Sequence, residues 1–206
     1  MNRDVDSLTP FFRDQGSGDA VICLHSNAST SSQWRAPAES LSNRYHVIAV
    51  DSYGAGKSPP WPTDRSLRLV DEVELLDAVL RLAGERFHVV GHSYGGAVAI
   101  KLATLYPKRV RSLALYEPTL FHLVVAGGDP LRSPARGIWS SATDAAHAVE
   151  RGDNLAAAER FIDFWMDKGI WAAMPAGRQT AVAASAQNVK GWCAGARAGC
   201  ADNGGA

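Results

Sequence analysis

The sequence lacks any run of 18 apolar residues, so no membrane-spanning helix is expected. Cysteine is scarce. Cys23 stands alone in the body, with Cys193 and Cys200 near the end, and no disulfide framework follows from that spacing. Neither charge is in excess: 21 Lys and Arg face 21 Asp and Glu, and the pI is near 7.0. Without a basic stripe to hold a phosphate backbone, no nucleic-acid partner is expected. The opening MNRDVDSLTP carries acidic residues and no apolar segment, which argues against a secretory signal and for a cytoplasmic protein. What the 206 residues do have is 46% hydrophobic content, enough to bury the core of one domain.

The first half alternates short apolar runs with helical patterns. Ala20–His25, Tyr45–Asp51, Arg86–Gly91 and Val110–Tyr116 are β-branched runs without strict alternation, as expected of strands buried on both faces. Phe11–Asp19 reads as an antiparallel edge strand and turn. Between the runs, Gln33–Leu41, Ser66–Ala83 and Gly95–Tyr106 have helical spacing. In Ser66–Ala83 the apolar positions line one face, charges fill the other, and Gly84 stops the helix. The order implies an α/β fold, a mostly parallel sheet with helices on both faces. After Pro118 the character changes to loop and helix, with Asp144–Glu150 and Asn154–Lys168 the best helical stretches. Residues 119–190 read as an inserted helical cap on a core of residues 1–118. Residues 191–206 hold five Gly and five Ala with no amphipathic period and read as a disordered tail.

The strongest chemical signal is Gly91-His92-Ser93-Tyr94-Gly95-Gly96, between a buried strand and a small-residue helix. G-x-S-x-G in that setting is a nucleophile elbow. A tight strand-to-helix turn lifts the Ser93 hydroxyl above the sheet, Gly91 and Gly95 leave room where side chains would collide, and the helix N-terminus faces developing negative charge. His25-Ser26-Asn27-Ala28 follows a central strand, where an oxyanion loop would lie, and the backbone N–H groups of Asn27 and Tyr94 would form the donor pair. The same loop, rich in Asn, Ser and Thr, also reads as a helix cap. Asp51-Ser-Tyr-Gly-Ala-Gly-Lys-Ser58 follows the next strand.

With the His25 loop and Trp34 downstream, the D-x-x-G-x-G-x-S turn, the elbow and the Leu115–Pro118 strand end, the chain resembles the α/β-hydrolase family. The resemblance runs from about Phe11 to Pro118 and only loosely beyond. It implies a serine nucleophile, a cap after the family's sixth strand (here Val110–Tyr116), and hydrolysis of a small ester, lactone or similar bond in an apolar substrate, with no cofactor or metal. The resemblance also implies a triad ordered serine, acid, histidine. Glu117, at the end of the sixth strand, is a candidate acid, although a strand-end Glu before Pro also suits a bond to nearby backbone.

Other motifs are decoys. Gly56-Lys57-Ser58 would need Gly at position 51 to be a phosphate loop, and that residue is Asp. Gly54-Ala-Gly56 fails the dinucleotide pattern because position 59 is Pro. Cys193 and Cys200 lack paired His, so no metal site is expected. His46, His88 and His92 read as strand packing residues, and the aromatics after Glu117 as helix packing or pocket lining.

One part of the family pattern is missing. Beyond Ser93 lie only His122 and His147, and neither follows a strand. Of the 206 residues 89 follow Glu117, and no apolar β-branched run appears after Val125, so the family's last two strands are expected to be absent. Val110–Tyr116 would then be an uncovered sheet edge, inviting self-association. The abrupt composition of the tail reads as a reading-frame change or premature end. Without a histidine base the chain is expected to be weakly active or inactive. A non-catalytic hydrolase-fold protein is the competing reading.

Overall fold

The computed structural model describes residues 9–62, 65–120 and 136–186. The chain divides into two compact units, residues 1–119 and 120–206. The first unit contains five strands: β1 (Phe12–Gln15), β2 (Asp19–Leu24), β3 (Tyr45–Val50), β4 (Phe87–His92) and β5 (Val110–Tyr116). They form one sheet in the order β1-β3-β2-β4-β5, parallel except for β1, which runs antiparallel to β3. The strand that the family counts as its sixth is therefore the fifth described here.

Burial follows the apolar runs. In β2 and β3, Val21, Cys23, Val47 and Ala49 pack with Ala38 of α1 (Arg35–Leu41), with Trp34 and Leu41 against them. Their alternates Ile22, Leu24, Ile48 and Val50 point to the opposite face and are equally buried. Both faces of the central strands are thus covered, which is why these strands read as continuous apolar runs. The exception is β5. Among the described residues it pairs only with β4, and it is exposed along nearly its whole length, Tyr116 at 61%. This is the uncovered edge the sequence implied.

The stretch read as one helix over Ser66–Ala83 is two: α2 (Leu69–Leu75) and α3 (Asp77–Leu82). The chain turns at Leu76, whose ψ is −3° and whose N–H reaches Val73 O in a tight bond of 3.1 Å. A second correction concerns its charged face. Asp71 and Glu72, which stand among the charges opposite the apolar face, are buried. Asp71 receives a bidentate pair from Arg65 (2.7 and 2.8 Å) and the Arg68 N–H, and these donors hold its carboxyl below its ordinary range against the opposing effect of burial.

The described part of the second unit is helical: α5 (Arg136–Glu150), α6 (Asn154–Trp165), α7 (Ile170–Ala173) and α8 (Ala176–Ser185). α6 packs on α5, α7 and α8, and its core is built of small residues such as Ala145, Ala157 and Ala158 with Ile162 and Trp171. α6 stops short of the expected Lys168. Gly169, at φ 89°, starts α7 instead, and Asp163 accepts the Gly169 and Trp171 N–H groups at 2.8 Å each. His122, Cys193, Cys200 and the Gly/Ala tail lie outside the described residues. No described helix is long and apolar enough to cross a membrane.

Candidate functional site

The elbow is built where β4 ends and α4 (Tyr94–Leu105) begins. Ser93 has φ 52° and ψ −116°, a conformation that costs roughly 1–3 kcal/mol for a residue with a Cβ. The turn is pinned on three sides. Ser93 N–H donates to Tyr116 O (2.9 Å), Ser93 O accepts from Gly96 N–H (2.9 Å) and Thr119 N–H (3.2 Å), and Gly95 N–H donates to His25 O (3.1 Å). A Cβ on Gly91 would stand 2.7 Å from Gly95 C and from Gly96 Cα, so glycine is required there by the close helix-to-strand approach.

The described non-glycine residues with positive φ are Ala28 (55°), Ser93 and Glu117 (48°). All three lie just past the carboxyl ends of strands, after β2, β4 and β5, the side on which open α/β sheets bind their ligands. Asn27, next to Ala28, has its side-chain Oδ1 buried with no hydrogen-bond partner among the described residues. Glu117 is held in this strained position with its side chain 72% exposed and Oε2 4.0 Å from His92 Nε2. His92 also lies against the Tyr116 ring, with centroids 4.8 Å apart. Its imidazole pKa is lowered by burial, a shift that the Glu117 carboxylate opposes.

Around this centre the loops are locked by buried polar groups. His25 is buried with both ring nitrogens engaged: Nδ1 lies 2.7 Å from Ser26 O and Nε2 accepts Ser52 N–H at 3.1 Å. The proton therefore sits on Nδ1, and burial lowers this imidazole's pKa too. Asp51 accepts Ser31 N–H (2.5 Å) and Lys57 N–H (3.0 Å) on its two carboxylate oxygens, and Ser58 Oγ donates to Asp51 O at 2.7 Å. The Asp51–Ser58 turn thus closes on its own Asp51, with its Lys57 N–H turned inward, which disposes of a phosphate-loop role. Behind the elbow, buried Glu72 accepts Tyr53 N–H (3.2 Å) and Tyr94 O–H (3.1 Å).

This geometry can be set beside known proteins. The family model for the alpha/beta hydrolase fold matches residues 19–140, more than half of the chain. The chain belongs to that family. Among curated relatives it is similar to the dihydrolipoyllysine-residue acetyltransferase component of an acetoin cleaving system from Cupriavidus necator, 33% identical over 61% of this chain and 33% of that protein. It is also similar to a fluoroacetate dehalogenase from a Burkholderia species, 33% identical over 66% of this chain and 45% of that protein. The chain thus spans a third to under half the length of these relatives. Among solved structures, an alpha/beta hydrolase from Sphaerobacter thermophilus superposes with a TM-score of 0.70 at 23% identity, over 91% of this chain and 69% of that one.

In this member of the alpha/beta hydrolase family, Ser93 and Tyr94, the Asn27 loop and Glu117 follow the carboxyl ends of β4, β2 and β5 respectively. His92, read as a packing residue, does stack on Tyr116 but also hydrogen-bonds Gln33 and faces Glu117. His46 and His88 also have polar partners, Asp14 and Ser112, and His88 packs edge-on against the Tyr45 ring. Sequence reasoning missed Gln33 and Glu72. Gln33 gave no signal, while the only trace of Glu72 was a Glu one residue from Asp71 at the start of a helix. Among the described residues no cluster of three metal-ligating groups exists.

Proposed function

We propose that the chain carries the nucleophilic half of an enzyme that hydrolyses a small, apolar ester or lactone through Ser93. The observation that supports this best is that the positive-φ non-glycine residues among the described residues all follow the carboxyl ends of β2, β4 and β5, because backbone strain of that kind persists where surrounding structure is organised to hold it. Ser93 Oγ attacks the carbonyl carbon, the Asn27 and Tyr94 N–H groups receive the oxyanion, the alkoxide breaks away and takes up the serine's proton (in a lactone it stays tethered as a ring-opened hydroxyl), and water then frees the acyl group and restores the serine hydroxyl. Glu117 is the acid that would orient an imidazole, and residues 119–190 are the cap.

The base is the weak point. Among the described residues His25 and His92 are the histidines beside the elbow, and each has its acceptor nitrogen taken, by Ser52 N–H and by the Gln33 amide. Neither is able to remove the Ser93 proton while those bonds stand. Among the described residues no histidine bonds Ser93 Oγ. Slow turnover is therefore expected from these 206 residues, with Ser93 still the group that is acylated. Purified protein given p-nitrophenyl acetate should release nitrophenol slowly, Ser93→Ala should remove that release, and mass spectrometry should find acetyl on Ser93. Release unaffected by Ser93→Ala would overturn the proposal. The engaged histidines also favour a second reading, a hydrolase fold that binds a small molecule without turning it over. That reading predicts no acylation of Ser93 by the ester or by a fluorophosphonate.

A further inference from the structure

Gln33 lies in the 3₁₀ turn Ser31–Trp34, which Thr30 caps by accepting Ser32 N–H. Its side chain joins the loop after β2 to the last residue of β4, far away in sequence. Oε1 is 3.0 Å from Ser26 N and 3.0 Å from Ser26 Oγ, and Nε2 is 3.0 Å from His92 Nδ1. The Ser26 backbone N–H donates to Oε1, so the amide oxygen must face Ser26 and the amide NH₂ must face His92. His92 Nδ1 is then an acceptor, and its ring proton lies on Nε2, on the side of Glu117.

The two residues that Gln33 joins each precede a group invoked above: Ser26 precedes Asn27, and His92 precedes Ser93. We propose that Gln33 is a positioning residue, a strut whose polar amide fixes the distance between the oxyanion-side loop and the nucleophile. This rests on the serine-hydrolase reading for its kinetic consequence, but not for its geometry. The sheet pairing of β2 with β4 ends at Leu24 and Gly91, and the backbone bond from Gly95 N–H to His25 O reaches one residue further, which leaves Asn27 two residues beyond that anchor. Just beyond it Ala28 adopts φ 55°, a conformation that needs outside restraint. The Ser26–Gln33 pair of bonds supplies it. The strut also explains why the His92 ring is not available as a base, since its acceptor nitrogen is spent on holding the loop.

Two variants separate the strut from general stability. Gln33→Leu keeps the bulk and removes all three bonds, and it should lower kcat for Ser93-dependent p-nitrophenyl acetate release by about ten- to a hundredfold, with KM within about twofold. Gln33→Glu keeps an acceptor for Ser26 but has no donor for His92, so the ring must bring its own proton to Nδ1. That variant should retain kcat within about threefold of wild type. In ¹⁵N spectra of the imidazole, wild-type His92 should have an unprotonated Nδ1, and Gln33→Glu a protonated one. An unchanged His92 tautomer in Gln33→Glu would sink the strut, even if Gln33→Leu does not fold. So would a Gln33→Leu kcat within about twofold of wild type while Ser93→Ala abolishes release. If instead Ser93→Ala leaves release intact, it is the serine reading that fails, and the tautomer measurement still decides the strut.

Discussion

Gly95→Ala should lose the folded first unit, at a cost of about 3 kcal/mol or more. Gly95 is the second residue of α4, where alanine ordinarily stabilises a helix by about 1 kcal/mol relative to glycine. Here the added Cβ would overlap Leu24 O and stand 2.5 Å from Leu24 C and 2.6 Å from His25 O. All three are backbone atoms at the end of β2, a strand hydrogen-bonded on both sides by β3 and β4, so none has room to retreat. Nor is α4 free to shift, since Gly95 N–H is bonded to His25 O and the helix start to Ser93 O. Gly177→Ala in α8 is the control: nothing lies within 4 Å of its added Cβ, and a gain of about 0.5–1 kcal/mol is expected. Urea unfolding followed by circular dichroism measures both. A Gly95→Ala midpoint equal to that of wild type would show that the elbow relaxes cheaply, against this account.

The same contrast explains how much was legible beforehand. The parallel strands could be read because burial on both faces leaves an unbroken apolar run, as in Ala20–Leu24. The elbow could be read because its geometry demands glycine at fixed offsets from Ser93. The turn at Leu76 could not, because Leu75, Leu76, Val79 and Leu80 are all buried and the apolar spacing runs on through the bend. Asp71 and Glu72 misled for a different reason. Charge on a helix usually marks water, and only the tertiary partners Arg65, Arg68, Tyr53 and Tyr94 make their burial tolerable. Gln33 was invisible because its role depends on distance to His92, 59 positions away in sequence. Pairwise geometry of that range leaves no periodic trace.

Glu72 gives the second large effect, a pH dependence of stability that one substitution should erase. Burial raises its carboxyl from the ordinary 4.5 to about 7, more than the Tyr53 N–H and Tyr94 O–H bonds lower it, and the neighbouring Asp71 carboxylate adds to the rise. The folded protein thus holds this proton over a pH range in which the unfolded chain has released it. Stability from this group is complete below pH 4.5 and is lost as pH rises to about 7, by about 3 kcal/mol at 1.36 kcal/mol per unit. Glu72→Gln imitates the protonated acid. Its amide oxygen accepts Tyr53 N–H, and its NH₂ donates to the Tyr94 oxygen, so both bonds survive with one reversed. The variant should match wild type at pH 4.5 and exceed it by about 2–3 kcal/mol at pH 8. Urea midpoints at four or five pH values test the difference, which cancels the other titrating groups. Parallel curves would mean that Glu72 ionises normally in the fold. Because Tyr94 directly follows Ser93, the side chain that titrates behind the elbow also sets how firmly α4 is anchored there. Glu72→Leu, which leaves Tyr53 N–H without its acceptor, should therefore be less stable than Glu72→Gln at every pH, by about 1–3 kcal/mol.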